Sequence, residues 1–174
     1  MRRPISLGVI GVSLLVLASA APHWKDLPRI RTHDNERPAG TLIGHVLRVH
    51  LEARNALWFP HADDGPSAPM VAFAEAGKTP QIPGPIIRVP AGTVVIASVT
   101  NSLPDSTLTV YGLVSRPAPR GDSGVVKIPP GETREVSFQL DAAGEYYYWA
   151  TTMGRRFAYR TREDSQLSGA IIVD

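Results

Sequence analysis

From residue 39 onward the chain consists of short runs of apolar and β-branched residues, each separated from the next by a turn signal. Residues 93–100 (TVVIASVT) and 133–140 (TREVSFQL) are typical runs, and the turns PAG and PPGE stand just before them. Proline and glycine interrupt helices and central strands alike. No segment keeps the apolar period of a helix. Turn signals about every 8–12 residues therefore predict an all-β domain over residues 39–174, an antiparallel Greek-key sandwich or barrel of about eight strands.

Period-two alternation predicts where the individual strands lie. In residues 41–52 (TLIGHVLRVHLE) the apolar residues, including Ile43, Val49 and Leu51, share one face, which predicts a single half-buried strand. Residues 78–85 (KTPQIPGP) hold three prolines, which exclude a central strand there. The other predicted strands are residues 70–74, 86–89, 93–100, 107–113, 125–128, 133–140, 145–151 and 169–173.

The first 20 residues have the pattern of a signal peptide. A basic start (MRR) precedes an uncharged apolar run at residues 5–18, and residues 18–20 (ASA) offer small side chains for cleavage. The run is shorter than the ~20 apolar residues of a spanning helix, and an uncleaved membrane anchor is the alternative. We expect an exported protein, periplasmic or secreted, with no membrane contact after cleavage. Residues 21–38 are expected to form an extended N-terminal arm.

Cleavage after Ala20 changes the charge balance. The full sequence has 18 Lys and Arg, 16 Asp and Glu, and a formal net charge of +2. Removal of Arg2 and Arg3 leaves 16 basic residues against 16 acidic ones, so the mature chain is expected to be nearly neutral. Because a nucleic-acid partner requires a basic face, we expect no nucleic acid to bind.

The chain has no cysteine. This excludes thiolate chemistry, and it excludes the blue-copper electron-transfer centre, which needs a cysteine ligand beside two histidines. Five histidines are scattered over the first third of the sequence: His23, His33, His45, His50 and His61. His45 and His50 are an odd number of residues apart, so on a regular strand they face opposite sides. His23, in an Ala-Pro-His sequence at the expected new N-terminus, offers weak Cu(II) binding as an alternative.

Two adjacent acidic pairs, Asp63 with Asp64 and Glu163 with Asp164, fall in expected loops. Neither pair is predicted to act as a catalytic dyad. His61 beside the first pair either holds a surface ion or belongs to a solvated turn. No glycine-rich phosphate loop, nucleophile elbow or zinc-protease motif is present in the sequence.

An aromatic run, Tyr146 to Trp149, occupies a predicted strand near the C-terminus. Alternation places Tyr146 and Tyr148 on one face and Tyr147 and Trp149 on the other, which favours core filling on one side and an interface on the other. The alternative is a ligand-binding or electron-relay patch. Four arginines make the following loop basic, either as a solvated loop or as a docking or anion-binding surface: Arg155, Arg156, Arg160 and Arg162.

Five motifs follow one another in a recognisable order. They are residues 70–73 (MVAF) with 83–89 (PGPIIRV), 91–104 (AGTVVIASVTNSLP), 128–133 (IPPGET), 143–148 (AGEYYY) and 167–174 (LSGAIIVD). In this order and spacing the chain resembles the N-terminal cupredoxin (plastocyanin-like, type 3) domain of the multicopper oxidases. The resemblance runs from about Val71 to Asp174 and implies a cupredoxin-type Greek-key sandwich.

The resemblance also implies where copper ligands would stand. In that family two His-x-His pairs bind copper at the type 2 and type 3 centres, where oxygen is reduced. The first pair aligns with Thr109 and Tyr111, and the second with Trp149 and Thr151. Hydroxyls and an indole are poor copper ligands beside imidazole. We therefore predict that this chain alone binds no copper, has no metal or catalytic residue, and is inactive as an oxidase.

Three functions remain open. In the first, the chain is the first cupredoxin domain of an exported multicopper-oxidase-like protein. It would serve as a scaffold and docking domain for copper domains elsewhere or for an adjacent-gene copper protein. The stop just after GAIIV, where a second domain would begin in the family, suggests a truncated or split gene product. The alternative is a stand-alone periplasmic or secreted binding module without redox activity. Weak copper carriage by surface histidines is a third possibility.

Overall fold

The computed structural model describes residues 26–121 and 124–174. The predicted signal peptide, residues 1–20, and His23 lie outside the described residues. Twelve strands are found within the described part: β1 Arg31–Thr32, β2 Thr41–Ile43, β3 Val46–Trp58, β4 Ala68–Glu75, β5 Gln81–Ile82, β6 Gly84–Val89, β7 Thr93–Asn101, β8 Leu108–Tyr111, β9 Val126–Ile128, β10 Thr133–Leu140, β11 Gly144–Thr151 and β12 Ser168–Val173. Two short 3-10 turns, Phe157–Tyr159 and Arg162–Asp164, separate β11 from β12.

Two five-stranded sheets form the domain. One has the order β10-β7-β3-β2, with β4 pairing the second half of β3, and the other has the order β6-β12-β11-β8-β9. Alternation fixes which side chains face inward: along β7 every second residue is buried. The core between the sheets includes Leu51, Phe73, Leu108, Leu140 and Tyr148, all fully buried. The all-β sandwich expected from the turn-punctuated sequence is therefore confirmed.

The prediction of a purely antiparallel sandwich was wrong. β3 pairs with β7 in parallel, as does β6 with β12. The chain passes from one sheet to the other between β6 and β7, and a crossover of this kind permits parallel neighbours that a tight hairpin does not. The remaining pairs within the two large sheets are antiparallel.

Residues 41–52 do not form the single strand predicted for them. The chain reverses at Gly44, whose φ of +59° favours glycine, and β2 folds back on β3 as a hairpin. Ile43 pairs with Val46 and is 75% exposed, whereas Val49 and Leu51 are fully buried. The hairpin therefore turns Ile43 away from the core.

The described part of the N-terminal arm is bound to the sandwich by short pairings. β1 pairs in parallel with β5, and Arg29 forms a bridge with Leu57 of β3. A small apolar cluster supports this contact and consists of Ile30, Ala56, Met70, Ala72 and Ile82, with Trp58 packed against it. Among the described residues there is no helix of the length and apolarity that a bilayer crossing requires.

Candidate functional site

The four positions aligned with the copper-ligand pairs lie side by side. β8 and β11 are antiparallel neighbours, and their register sets Tyr111 opposite Trp149 and Thr109 opposite Thr151. The intervening residues Leu108, Val110, Tyr148 and Ala150 are fully buried in the core. Because side chains alternate along a strand, the four aligned positions share the other face of the sheet.

Tyr111 and Trp149 form a parallel aromatic stack on this face. Their ring centroids are 4.1 Å apart and the ring planes differ by 8°. Phe157, from the first 3-10 turn, meets the Trp149 ring at 68° with a centroid distance of 5.6 Å, and it also lies 4.8 Å from the Tyr147 ring. Aromatic pairs in such geometries contribute about 0.5–1.5 kcal/mol each beyond area burial. The loop after β11 is thus held to the strand by ring contacts.

Thr151 is fully buried, and its hydroxyl makes a hydrogen bond to the loop that follows β11. Its Oγ1 donates to the Asp164 carboxylate at 2.8 Å. The same carboxylate accepts from the backbone N–H of Thr152 at 2.7 Å, from the Thr152 hydroxyl at 2.9 Å and from the Met153 N–H at 3.3 Å. Asp164 itself is fully buried. A buried carboxylate with this many donors ties the end of β11 to the second 3-10 turn.

Arg160 contacts both the loop around Asp164 and the aromatic rings on this face. Its Nη1 donates to the carbonyl oxygens of Asp164 at 2.9 Å and Leu167 at 2.8 Å. Its guanidinium lies 5.3 Å from the Trp149 ring centroid and 4.6 Å from that of Phe157, within the range of a cation–π contact. Burial lowers the pKa of the Arg160 guanidinium, and the nearby Asp164 charge partly opposes that shift.

Gly112 permits the close approach of β8 to β11. Its φ is +87°, and a Cβ atom added there would stand 2.3 Å from the Tyr147 carbonyl oxygen. β8 ends at Tyr111, just before Gly112, and a cleft of about 350 Å3 lies along the outer face of β11. Its lining includes Tyr111, Tyr147, Trp149 and Glu145.

Comparison with known proteins decides the family. A model of the family described as multicopper oxidase matches residues 76–174, more than half of the chain. This chain belongs to the multicopper oxidase family. The matched residues include β8 and β11.

The curated relatives are far longer than this multicopper oxidase domain. L-ascorbate oxidase of Cucumis sativus is 33% identical over 104 residues, which make up 56% of this chain and 16% of that protein. L-ascorbate oxidase of Cucurbita pepo var. melopepo is 32% identical over 104 residues, 56% of this chain and 18% of that protein. The chain thus spans less than a fifth of the length of these relatives.

Solved structures confirm the cupredoxin-type fold. A laccase variant from Botrytis aclada matches with a TM-score of 0.56 at 20% identity, over 88% of this chain and 24% of that one. A metallo-oxidase from Campylobacter jejuni matches with a TM-score of 0.54 at 19% identity, over 86% and 31%. The copper nitrite reductase of Nitrosomonas europaea matches with a TM-score of 0.51 at 25% identity, over 74% and 41%.

The side chains on this face do not fit copper. The four aligned positions supply two threonine hydroxyls, a phenol and an indole, whereas copper in proteins prefers imidazole and sulfur ligands. Tyr111 and Trp149 are stacked on each other, and Thr151 is committed to Asp164. In residues 26–121 and 124–174 no group of three or more His, Cys, Asp or Glu is placed to hold a metal ion. The four aligned side chains therefore offer copper no suitable set of ligands.

The described histidines lie apart from this face. His45 and His50 are exposed near the start of β3, and His61 is exposed in the loop between β3 and β4. The Nδ1 of His33 is 2.9 Å from the Asn35 backbone N–H, in the arm. Asp63 pairs with Arg29 at 3.2 Å. The structure thus brings none of these histidines to the four aligned positions.

The sequence did not indicate that Asp164 holds the loop to the end of β11. Its pair with Glu163 was expected only to lie in a loop and not to act as a catalytic dyad, although Asp164 is one of the few fully buried charged or polar side chains among the described residues. The aromatic run behaves as predicted on the inner face, where Tyr148 is fully buried and Tyr146 packs on the core. On the outer face Tyr147 is 52% exposed.

Proposed function

We propose that this multicopper oxidase domain is an exported, copper-free scaffold that docks onto copper-bearing cupredoxin domains elsewhere, on a partner chain or in a longer protein. The observation that carries the proposal is the β8–β11 face. Four side chains stand in register where the family places converging imidazoles, and none of them is a good copper ligand. The family's oxidation coupled to oxygen reduction would then require residues outside this chain.

The surroundings of this face support a docking role. Four large apolar side chains next to it are exposed, each by at least two fifths: Tyr147 52%, Met153 41%, Phe157 42% and Tyr159 66%. Contiguous exposed apolar surface marks interaction sites more often than solvent faces. Tyrosine and tryptophan with arginine at the rim are also the residues that carry interface energy. Arg155 and Arg156 are exposed beside the patch.

Association with a copper-bearing partner tests this proposal. The chain would be purified with and without a copper-bearing cupredoxin protein from the same organism, and complex formation and copper content would be measured together. We expect a complex whose copper depends on the partner, and we expect Tyr147→Asp with Phe157→Asp to weaken association by at least about tenfold.

Ile43→Asp is the matched control for that experiment. Ile43 is also an exposed apolar side chain, 75% accessible, but it lies on β2 in the other sheet. It should leave association within about twofold. Equal loss in both variants, or no association of the unaltered chain, would contradict docking through the β8–β11 face.

The cleft beside Gly112 favours a second candidate function, a binding module without redox activity. Its volume of about 350 Å3 lies within the range of small-molecule sites. Tyr111, Tyr147 and Trp149 supply aromatic surface, and the exposed Glu145 supplies a carboxylate. A complex with the partner that leaves this cleft open would favour the binding module, whereas a complex that covers it would favour docking.

Installing histidines tests the geometry of the four positions. Residues directly opposite on antiparallel strands have Cβ atoms about 4.5–5.5 Å apart, so Tyr111→His with Trp149→His should place two imidazoles on one metal. We expect this variant to bind one more equivalent of Cu(II) than the unaltered chain, as measured by titration calorimetry.

The control for this titration uses the same number of histidines at unsuitable spacing. Thr109→His with Tyr147→His shares the outer face, but four residues of strand, about 13 Å, separate the two positions along the sheet. This variant should bind no more Cu(II) than the unaltered chain. The proposal fails if the unaltered chain already binds tight stoichiometric copper that Tyr111→Phe abolishes.

A further inference from the structure

A polar cavity of about 400 Å3 lies between the N-terminal arm and the turn that joins β4 to β5. It shares no lining residue with the cleft beside β11. Basic and hydrogen-bonding side chains dominate its wall, among them Arg31, Arg37, Lys78, Thr32, Thr79 and Gln81. Such a cavity does not follow from the cupredoxin core, since one wall belongs to the arm that precedes it.

Backbone hydrogen bonds fix the two walls relative to each other. The N–H of Arg31 donates to the Pro80 carbonyl at 2.9 Å, and the N–H of His33 donates to the Ile82 carbonyl at 2.9 Å. Further along the arm, the N–H of Ala39 donates to Ile86 of β6 at 2.8 Å. The cavity is therefore built on paired backbone on both sides rather than on a free loop.

The charges in the cavity do not cancel. Lys78 is neutralised by Glu75 at 2.7 Å, and the other Glu75 oxygen accepts from the Gly40 N–H at 3.4 Å. Within the described ranges neither Arg31 nor Arg37 has an ion-pair partner. Asp34 is the only other acidic residue in the lining, and it accepts from the Glu36 N–H at 3.0 Å. Two guanidinium groups thus face one carboxylate.

Hydrogen-bond donors in the cavity are also unused. Over residues 26–121 and 124–174, no hydrogen bond is made by the side chains of Thr32, Thr79 or Gln81. Arginine presents a planar fork of N–H donors that matches the oxygens of a carboxylate or a phosphate. Hydroxyl and amide donors beside two such forks complete the surroundings of an anion.

We propose that this cavity binds a small oxyanion that carries one or two negatively charged carboxylate or phosphate groups. The ligand bridges Arg31 and Arg37 of the arm to the Thr79–Gln81 wall. The cavity volume of about 400 Å3 suits an anion of the size of a small metabolite rather than a polymer. The site is independent of the proposed docking face and of copper, so the failure of either proposal leaves the other standing.

Calorimetric titration with two probes, inorganic phosphate and succinate, tests the site and distinguishes the two oxyanion groups. We expect at least one probe to bind the unaltered chain with a Kd of about 1 mM or tighter. Arg31→Gln with Arg37→Gln should weaken that binding by at least about tenfold, because both forks are lost. Both side chains are exposed, so the variant is expected to fold.

Arg120→Gln with Arg134→Gln is the matched control, since it removes two exposed arginines that lie outside the cavity. It should change the affinity by less than about twofold. Hydrogen exchange gives a second reading: the bound probe should slow exchange of the Arg31 and His33 amides, which cross between the walls. Equal weakening in both double variants, no exchange protection, or no binding of either probe would overturn the proposal.

Discussion

Replacing Gly112 with alanine is expected to lower the free energy of unfolding by about 3–5 kcal/mol. The added Cβ would stand 2.3 Å from the Tyr147 carbonyl oxygen and 3.0 Å from the Tyr148 Cα. Both atoms belong to the β11 backbone, which is held by β12 and cannot move aside as a flexible side chain would. The left-handed φ of +87° adds further strain. Urea denaturation, followed by circular dichroism, measures the change.

Gly92→Ala separates the cost of the steric clash from the cost of the left-handed backbone conformation. Gly92 has nearly the same conformation, φ +85°, but an added Cβ there meets no atom within 4 Å. It should therefore cost only the conformational strain, about 1–2 kcal/mol. The difference between the two variants measures how closely β8 approaches β11. Equal costs would show that the strands at the candidate site are not packed as the structure has them.

Gly112→Ala should also disturb the aromatic stack. Gly112 follows Tyr111 directly, so a strand end pushed away from β11 moves the Tyr111 ring from its position 4.1 Å from Trp149. Stacked rings at this distance couple their electronic transitions, and the near-ultraviolet circular dichroism signal should fall. The stability change and the loss of this signal are therefore expected together.

The sequence was sufficient to predict the shared face of the four aligned positions. Residues i and i+2 of a strand point the same way whatever the tertiary structure, and this holds for Thr109 with Tyr111 and for Trp149 with Thr151. Their pairing across strands, Tyr111 with Trp149 and Thr109 with Thr151, was not predicted. Register depends on hydrogen bonding between segments about forty residues apart, which alternation within one segment does not specify.

The hairpin at Gly44 shows why alternation misled at residues 41–52. The two-residue turn sets Ile43 opposite Val46, so odd-numbered residues of β2 share a face with even-numbered residues of β3. A continuous strand would instead keep Ile43 with Leu47 and Val49. The period-two pattern looks the same in both cases, and only the backbone conformation at Gly44 distinguishes them.

Asp164 could not be recognised from sequence because its burial depends on partners with no fixed spacing. Thr151 ends β11 and Thr152 follows it, and Asp164 lies about a dozen residues later in a basic, irregular loop. No period or motif links them. Arg160 is similar: its contacts with Trp149 and with two loop carbonyls depend on how the loop folds back. From the sequence, Arg160 was only one of four arginines in a basic loop.

Replacing Asp164 with alanine should produce the second large effect, a loss of about 3–5 kcal/mol in the free energy of unfolding. The carboxylate accepts hydrogen bonds from Thr151, Thr152 and Met153 in a fully buried position. Removal leaves those donors without an acceptor, which costs more than the bonds themselves contribute. The free energy of unfolding of Asp164→Asn should lie between that of the unaltered chain and that of Asp164→Ala. The single amide oxygen of asparagine can still accept from the Thr151 hydroxyl and the Thr152 N–H.

Glu163→Ala is the control for this comparison, since Glu163 is the exposed neighbour in the same 3-10 turn. It should change stability by less than about 0.5 kcal/mol. Denaturation gives the free energies, and hydrogen exchange at Thr152 and Met153 shows whether the loop detaches before the sheets unfold. If Asp164→Ala and Glu163→Ala are equally mild, the loop is not held by the carboxylate. The position of Phe157 and Arg160 against Trp149 would then depend on the ring contacts and on the hydrogen bonds from Arg160 to backbone carbonyls.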